Sequence, residues 1–259
     1  MAGFILRRLG VLILTLFIAS VVIFALLEII PGDPALTMLG INATPETIAA
    51  LRNELGLNAN ALPRYLAWIS GMLHGDFGLS YTYRTPVAEL LAERMMVTLP
   101  LAIYALIFTV LIALPFGFLA GAREGRWHDR IILFFSQIGI ALPNFWFALM
   151  LIMIFAIQLG WVSAGGFSGW HHGWINGIAE LTLPAIALAI PQATILLRVM
   201  RSALIETARQ DYIRTARAKG LSRDQALWRH GWINALIPVV TIMGMQFSFL
   251  IAGAIIIEN

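Results

Sequence analysis

The chain contains no cysteine and a single lysine, and little charge of either sign is spread over its 259 residues. Without cysteine there is no disulfide framework, no thiolate nucleophile and no cysteine metal site. The lysine, Lys219, is followed by Gly220. A nucleotide-binding P-loop needs lysine followed by serine or threonine, because the ammonium pairs with phosphate and the hydroxyl binds Mg²⁺. If ATP drives this protein, another polypeptide hydrolyses it. Paired aspartates and a His-Glu-x-x-His pattern are also missing, which removes the membrane-protease chemistries. The long apolar runs hold almost nothing ionisable: Glu28 and Glu180 fall at their ends and Arg198 near the end of the fourth. Proton relays are built from intramembrane carboxylates and histidines, so a proton-coupled carrier is disfavoured, whereas Na⁺ sites made of carbonyls are not.

What is present is apolar. Hydrophobic residues make up 59% of the chain and charged ones 12%, with a mean hydropathy of +0.83, whereas a soluble domain is roughly half apolar and about a quarter charged. A helix crosses a hydrocarbon core of roughly 30 Å with about 20 apolar residues. Five runs qualify, at about 9–30, 98–121, 131–159, 181–200 and 233–257. The first follows Arg7 and Arg8 but exceeds the roughly 7–15 apolar residues of a signal peptide, so it reads as a retained span. Pro115, Pro143 and Pro184 lie within or near the runs and predict kinks or helix starts.

Residues 31–97 form a mixed insertion. Pro31, Gly32, Asp33 and Pro34 end the first run, since proline lacks an N–H and biases its predecessor away from helix. In "TPETIAALRNELGL", Thr44 is placed as an N-cap, Pro45 at the first helical position and Glu46 in the first turn. A second short helix follows over "LPRYLAWISGMLHG", then "GDFGLSY", whose Gly75 and Gly78 flank Asp76 and read as turn positions.

Charge placement predicts orientation. Arg7 and Arg8, then Arg123, Arg126 and Arg130, then Arg201, Arg209, Arg214, Arg217, Lys219, Arg223 and Arg229 mark three cytoplasmic regions, whereas residues 160–180 carry no Arg or Lys and hold Trp161, Trp170 and Trp174. By the positive-inside rule the amino end is cytoplasmic and the insertion 31–97 external; its arginines lie in a segment long enough to escape the rule. The small basic excess, 17 Lys+Arg against 14 Asp+Glu, gives no reason to expect nucleic acid as a partner. The chain reads as one all-α, polytopic membrane domain over 1–259.

The densest basic stretch is "DYIRTARAKGLSRDQALWRHGWINALIP". One reading is a loop obeying positive-inside and touching anionic lipid. Its pattern says more. "ETARQDYIRTARAK" is rich in helix formers, Gly220 falls where a C-cap belongs, and Ser222 with Asp224 can start a second helix, "RDQALWRHGWINAL". Two helices joined at a glycine make a compact knob suited to docking in a groove on another protein.

At these residues the chain resembles the permease subunits of ABC importers, specifically the dipeptide/oligopeptide/nickel branch. The family's cytoplasmic loop carries Glu-Ala-Ala, three residues, Gly, and later a proline opening the next helix; the matching positions are Arg214, Thr215, Ala216, Gly220 and Pro238. The first two depart from the general signature, and "RTARAKGLS" looks like the variant of the peptide/nickel branch. "RRLGVLILTLFIASVVIFALLEIIPGDPA", "GDFGLSY" and "ALPNFWFAL" are similar to family sequence in order and spacing, so the resemblance covers essentially the whole chain. It implies a type I permease with a coupling loop at 201–232, in which Arg214, Thr215, Ala216, Arg217, Gly220, Leu221 and Ser222 dock an ATPase. It also implies six spans with both ends cytoplasmic, the last following the match to Glu258 and Asn259, so the sequence is expected to be truncated before that span. The implied working unit sits in a bacterial or archaeal inner membrane. It joins two permeases, commonly different, with two ATPases that carry ATP and Mg²⁺ and an external solute-binding protein; this chain itself binds no cofactor.

Other candidates have blander readings beside the functional one. Pro31, Gly32, Asp33, Gly75, Asp76 and Gly78 either terminate elements or shape the face on which the binding protein lands. Tyr104, Gln137, Asn144, Gln158, Gln192 and Gln246 line a path or bond between helices. His171 and His172 are adjacent, diverge in direction and read as a solvated loop, so no metal site is assigned. The leading function is an importer permease for a peptide-like, glutathione-like or chelated-metal solute, and the alternative is a stand-alone channel or ion-coupled carrier.

Overall fold

The computed structural model describes residues 2–29, 32–40, 43–162 and 166–258. It divides into two compact units, Met1–Arg94 and Met95–Asn259.

The first unit contains α1 (Ala2–Ile29), α2 (Pro34–Leu39), α3 (Pro45–Glu54) and α4 (Ala61–Leu73). Thr44 caps α3 as expected: its Oγ1 accepts from the Thr47 N–H at 3.3 Å while Thr47 Oγ1 accepts from the Thr44 N–H at 2.9 Å, the reciprocal arrangement of a capping box. Pro45 opens the helix, where its missing N–H has no helical partner to lose. Glu28 near the end of α1 pairs with Arg64 of α4 at 3.0 Å, and Ser20 meets the Tyr65 hydroxyl at 2.8 Å. Phe24 lies edge-on to Tyr65, 5.4 Å between centroids. A cavity of about 1030 Å³ is lined by Phe24, Glu28, Arg64, Trp68, Asp76 and Phe77 among others.

The second unit is built around α8 (Trp174–Ala208), with α5 (Val87–Ala122), α6 (Trp127–Ala141), α7 (Asn144–Leu151, continued as a π-helix over Ile152–Gln158), α9 (Asp211–Ala218), α10 (Arg223–Ala226) and α11 (Trp232–Glu258). The first turns of α5, to Arg94, belong to the first unit. α5 and α8 run parallel: the Tyr104 hydroxyl, midway along α5, meets Thr182 at 3.3 Å, and Gly117 and Gly121 face Leu197 through Leu204 further along both helices. That contact is very close. A Cβ on Gly117 would lie 2.8 Å from the Leu197 carbonyl oxygen and from Met200 Cβ, and one on Gly121 would lie 3.0 Å from the Arg201 carbonyl oxygen. Glycines four apart on an apolar helix let two backbones meet where lipid supplies no hydrophobic drive for association. Ala102, Ala105, Ala185 and Ala189, all fully buried, continue the small-residue contact, and α11 closes the core with Leu250 and Ala254 at one end and Ala235 and Val239 at the other.

Two parallel neighbours need a connection that returns the chain, and α6 with α7 provides it. The expected single span over 131–159 is not one helix. It breaks at Leu142 and Pro143, and the two halves meet at 100°, because proline cannot donate the helical bond and Leu142 before it takes an extended conformation, φ −85° and ψ 123°. Among the described residues, four helices are long and apolar enough to cross a membrane, and the bent pair makes a fifth crossing if taken as one. Two further boundaries differ from expectation. Glu206–Ala208 end α8 rather than opening the basic helix, the break falling at Arg209 and Gln210. Pro238 lies inside α11 rather than at its start, because a π-helical segment, Leu227–Gly231, carries α10 directly into α11.

Gly117→Val is expected to destabilise the purified protein by about 1–3 kcal/mol through overpacking against α8, read as a lower melting temperature in detergent. Gly10→Val on α1, where a Cβ meets nothing within 4 Å, should leave it unchanged.

Candidate functional site

One end of the second unit gathers the basic residues: the loop 123–126, the carboxyl end of α8, α9 and α10. α9 is short, and its two ends are set by side chains and a glycine. Gln210 precedes it in extended conformation, Asp211 sits in the first turn, where a carboxylate favours the helix dipole, and the Thr215 hydroxyl donates back to the Asp211 carbonyl at 3.0 Å. At the other end the Gly220 N–H donates to the Arg217 carbonyl at 3.0 Å and the Leu221 N–H to the Ala216 carbonyl at 3.3 Å. Those two bonds form a Schellman motif, and Gly220 has the φ of +96° that it requires. Ser222 then caps α10, its Oγ accepting from the Gln225 N–H at 3.3 Å while its own N–H donates to Gln225 Oε1 at 3.0 Å. The expected helix, glycine, helix pattern is therefore present over 211–226.

α9 has two faces. Ile213 and Ala216 are buried in a cluster with Leu204, Leu227, Ala235 and Val239. Full burial of an isoleucine is worth about 1.5–3 kcal/mol, so this face holds α9 to the bundle. Arg214, Thr215, Arg217, Lys219, Gly220 and Ser222 are exposed. Of the residues expected to dock a partner, Ala216 is buried and Leu221 half-buried against the core, because the short α9 and the turn after it need apolar anchors, which lie three and eight residues after Ile213. They set the pose of the exposed face instead of contributing to it.

Ion pairs fasten this end together. Asp129, 2% exposed, accepts from Arg201 Nε at 2.6 Å and Nη2 at 2.8 Å, and from the Gly125 N–H at 2.8 Å. The α5–α6 loop also reaches both flanks of α9: Glu124 pairs with Arg209 at 3.3 Å before it and Arg123 with Asp224 at 2.8 Å after it. The outer pairs are solvent-exposed and contribute at most about 1 kcal/mol each. The Asp129 carboxylate is nearly enclosed and bidentate, so it governs the geometry. Neither Asp129 nor Arg201 stood out in the sequence as a pair. The available signal was an acid set directly before Arg130 in the basic stretch 123–130.

The other expected residues are dispersed. Asp33 is an N-cap, its Oδ1 accepting from the Ala35 N–H at 3.0 Å, and it also pairs with Arg52 at 3.0 Å; Gly32 beside it is exposed and Pro31 lies outside the described residues. Gly75 and Gly78 take φ of +83° and +78°, and Asp76 Oδ1 accepts from the Gly78 N–H at 2.8 Å, so this is a tight turn. Gln246 is buried and donates to the Gln192 carbonyl at 3.0 Å, joining α11 to α8 as an interhelical partner. Gln137 is exposed and accepts from Arg198 at 2.6 Å. Asn144 is half-buried near Gly253 of α11.

Comparison with known families decides what this arrangement belongs to. Residues 113–259 match the family described as "Binding-protein-dependent transport system inner membrane component", and residues 1–102 match its amino-terminal counterpart. The chain belongs to this family. It is similar to the protein named "Glutathione transport system permease protein GsiC" of Escherichia coli strain K12 and of Shigella dysenteriae serotype 1, at 38% identity covering all of this chain and 82% of the relative. The Shigella boydii serotype 4 protein of that name is 37% identical with the same coverage. The permease is thus an all-α, multi-pass inner-membrane component of an ABC importer, a transport subunit and not an enzyme, in a system that pairs permeases with ATPases and a solute-binding protein.

Asp129→Asn weakens two charge-assisted hydrogen bonds to Arg201, which keeps part of its hydration, and is expected to cost about 1.5–3 kcal/mol, seen as a lower melting temperature of the permease in detergent. Glu124→Gln should change thermal stability by less than about 1 kcal/mol. Equal effects of the two substitutions would contradict this ranking.

Proposed function

We propose that this permease forms half of an inward pathway for a peptide-like solute of the glutathione class, and that α9 is where a separate ATPase docks. The solute class is supported by similarity to glutathione permeases along the whole chain, and the docking role by the exposed polar face of α9. Coupling sets a physical demand. Switching a two-state pathway almost completely takes about 5.5 kcal/mol of differential binding, which a loosely tethered segment cannot deliver. Ile213 and Ala216 in the core, the Schellman turn at Gly220 and the capped start of α10 make α9 a rigid projection.

In this reading Arg214, Thr215, Arg217, Gly220 and Ser222 meet the ATPase, while ATP and Mg²⁺ reside wholly on that partner. The amino end and the basic end of the second unit face the cytoplasm, since both carry the arginines that positive-inside retains there. The insertion 31–97 faces the binding protein, with Gly32, Asp33, Gly75, Asp76 and Gly78 in ordered turns. A second permease, a different chain, completes the pathway, and Gln137 and Asn144 line this chain's side of it.

Arg214→Glu combined with Arg217→Glu should lower recovery of the ATPase with the tagged permease by about tenfold, the equivalent of roughly 1.4 kcal/mol, without changing permease yield. Both side chains are exposed, so folding does not depend on them. Uptake of glutathione by vesicles containing the permease alone, without nucleotide, would overturn the reading.

A further inference from the structure

Two arginines one turn apart on α8 have different surroundings. Arg201 meets the carboxylate of Asp129. Arg198, half-buried, meets only neutral groups: Nε and Nη2 each donate to Ser136 Oγ at 3.2 Å, and Nη2 donates to Gln137 Oε1 at 2.6 Å. The Ser136 hydroxyl proton is committed to the Leu133 carbonyl at 2.8 Å, so its lone pairs face the guanidinium. Among the described residues, no carboxylate lies within ion-pair distance of Arg198, and its Nη1 makes no hydrogen bond.

We propose that Arg198 binds a carboxylate of the transported solute at the α6–α8 face. The inference rests on the permease reading above and adds a solute-binding residue to it. A guanidinium is charged at every working pH, and this one, near the end of the apolar run 181–200, is held by neutral partners that leave its charge unmatched. Ser136 and Gln137 orient the fork without neutralising it, which leaves Nη1 and part of Nη2 for an incoming acceptor. Gln137 is exposed, so the site is open on that side of α6. A planar fork with free donors matches carboxylate geometry, and peptides with a free carboxyl end supply that group. Lipid phosphate shares the chemistry and is the competing source.

The absence of cysteine makes the test clean, because Gln137→Cys is the sole thiol of the chain. In the complete transporter reconstituted in neutral-lipid vesicles, a sulfonate-bearing methanethiosulfonate should label residue 137 about tenfold faster than its trimethylammonium counterpart. The ratio should fall to near one with Arg198→Gln and persist with Arg198→Lys, and S-methylglutathione, which keeps the carboxylates but has no thiol to consume the reagent, should slow labelling. A ratio indifferent to Arg198→Gln, or no labelling of the assembled transporter, overturns the proposal. Slowing by added anionic lipid but not by S-methylglutathione also overturns it, in favour of a headgroup. Failure of the wild-type vesicles to take up glutathione would count against the solute class and leave the labelling ratio to decide on Arg198.

Discussion

The close approach of α5 to α8 is the constraint from which the second unit follows. With Tyr104 at Thr182, Thr109 at Ala189 and Gly117 and Gly121 against the backbone of Leu197–Arg201, the two helices are parallel neighbours, so the intervening chain must return along the bundle. It does so through α6 and α7, broken at Pro143, and α6 is thereby laid against a neighbouring face of α8, at Ile190, Thr194, Arg198 and Arg201. Only then can Asp129 reach Arg201 and Ser136 reach Arg198. The same α8 ends at Ala208 and delivers the chain into α9. Packing of small residues, rather than any polar contact, sets the frame in which the polar contacts become possible, as expected where lipid is as apolar as the side chains.

Within that frame the electrostatics are graded. The outer pairs, Arg209 with Glu124 and Arg123 with Asp224, are wet and individually weak, yet they connect the α5–α6 loop to both flanks of α9. In the inner pair, Arg201 with Asp129, the carboxylate is nearly enclosed and fixes that loop by a further bond from the Gly125 N–H. A displacement of α9 is therefore felt at α5, α6 and α8 together. That is the mechanical requirement of a subunit whose energy source lies on another polypeptide, and the lone Lys219 before Gly220 leaves no P-loop in this one.

Local chemistry was legible in the sequence where one residue decides the outcome. Thr44 and Pro45 start a helix, Ser222 starts another, and Gly75, Gly78 and Gly220 take positive φ because each closes a turn. The apolar runs gave the crossings because length and hydropathy are enough for that. What stayed hidden depends on partners distant in sequence. Pro143 read as a kink or a helix start, but a 100° break follows only once α7 packs on α8 and α11. Pro238 read as a helix start, because nothing local reveals that the π-segment before it carries α10 into α11. Ala216 and Leu221 looked like members of a docking motif; that they face inward depends on Leu204 and Leu227, supplied by other helices. Asp129 and Arg201 lie 72 positions apart, and no spacing rule connects them.

The central claim is that the exposed face of α9 conveys another subunit's ATP hydrolysis to this bundle. A photo-cross-linker on Arg217→Cys, the only thiol in the chain, tests it most directly in membranes containing the whole transporter. The account predicts an adduct with the ATPase whose yield changes when ATP is bound. Adducts with lipid alone, or an ATPase adduct insensitive to nucleotide, would contradict it.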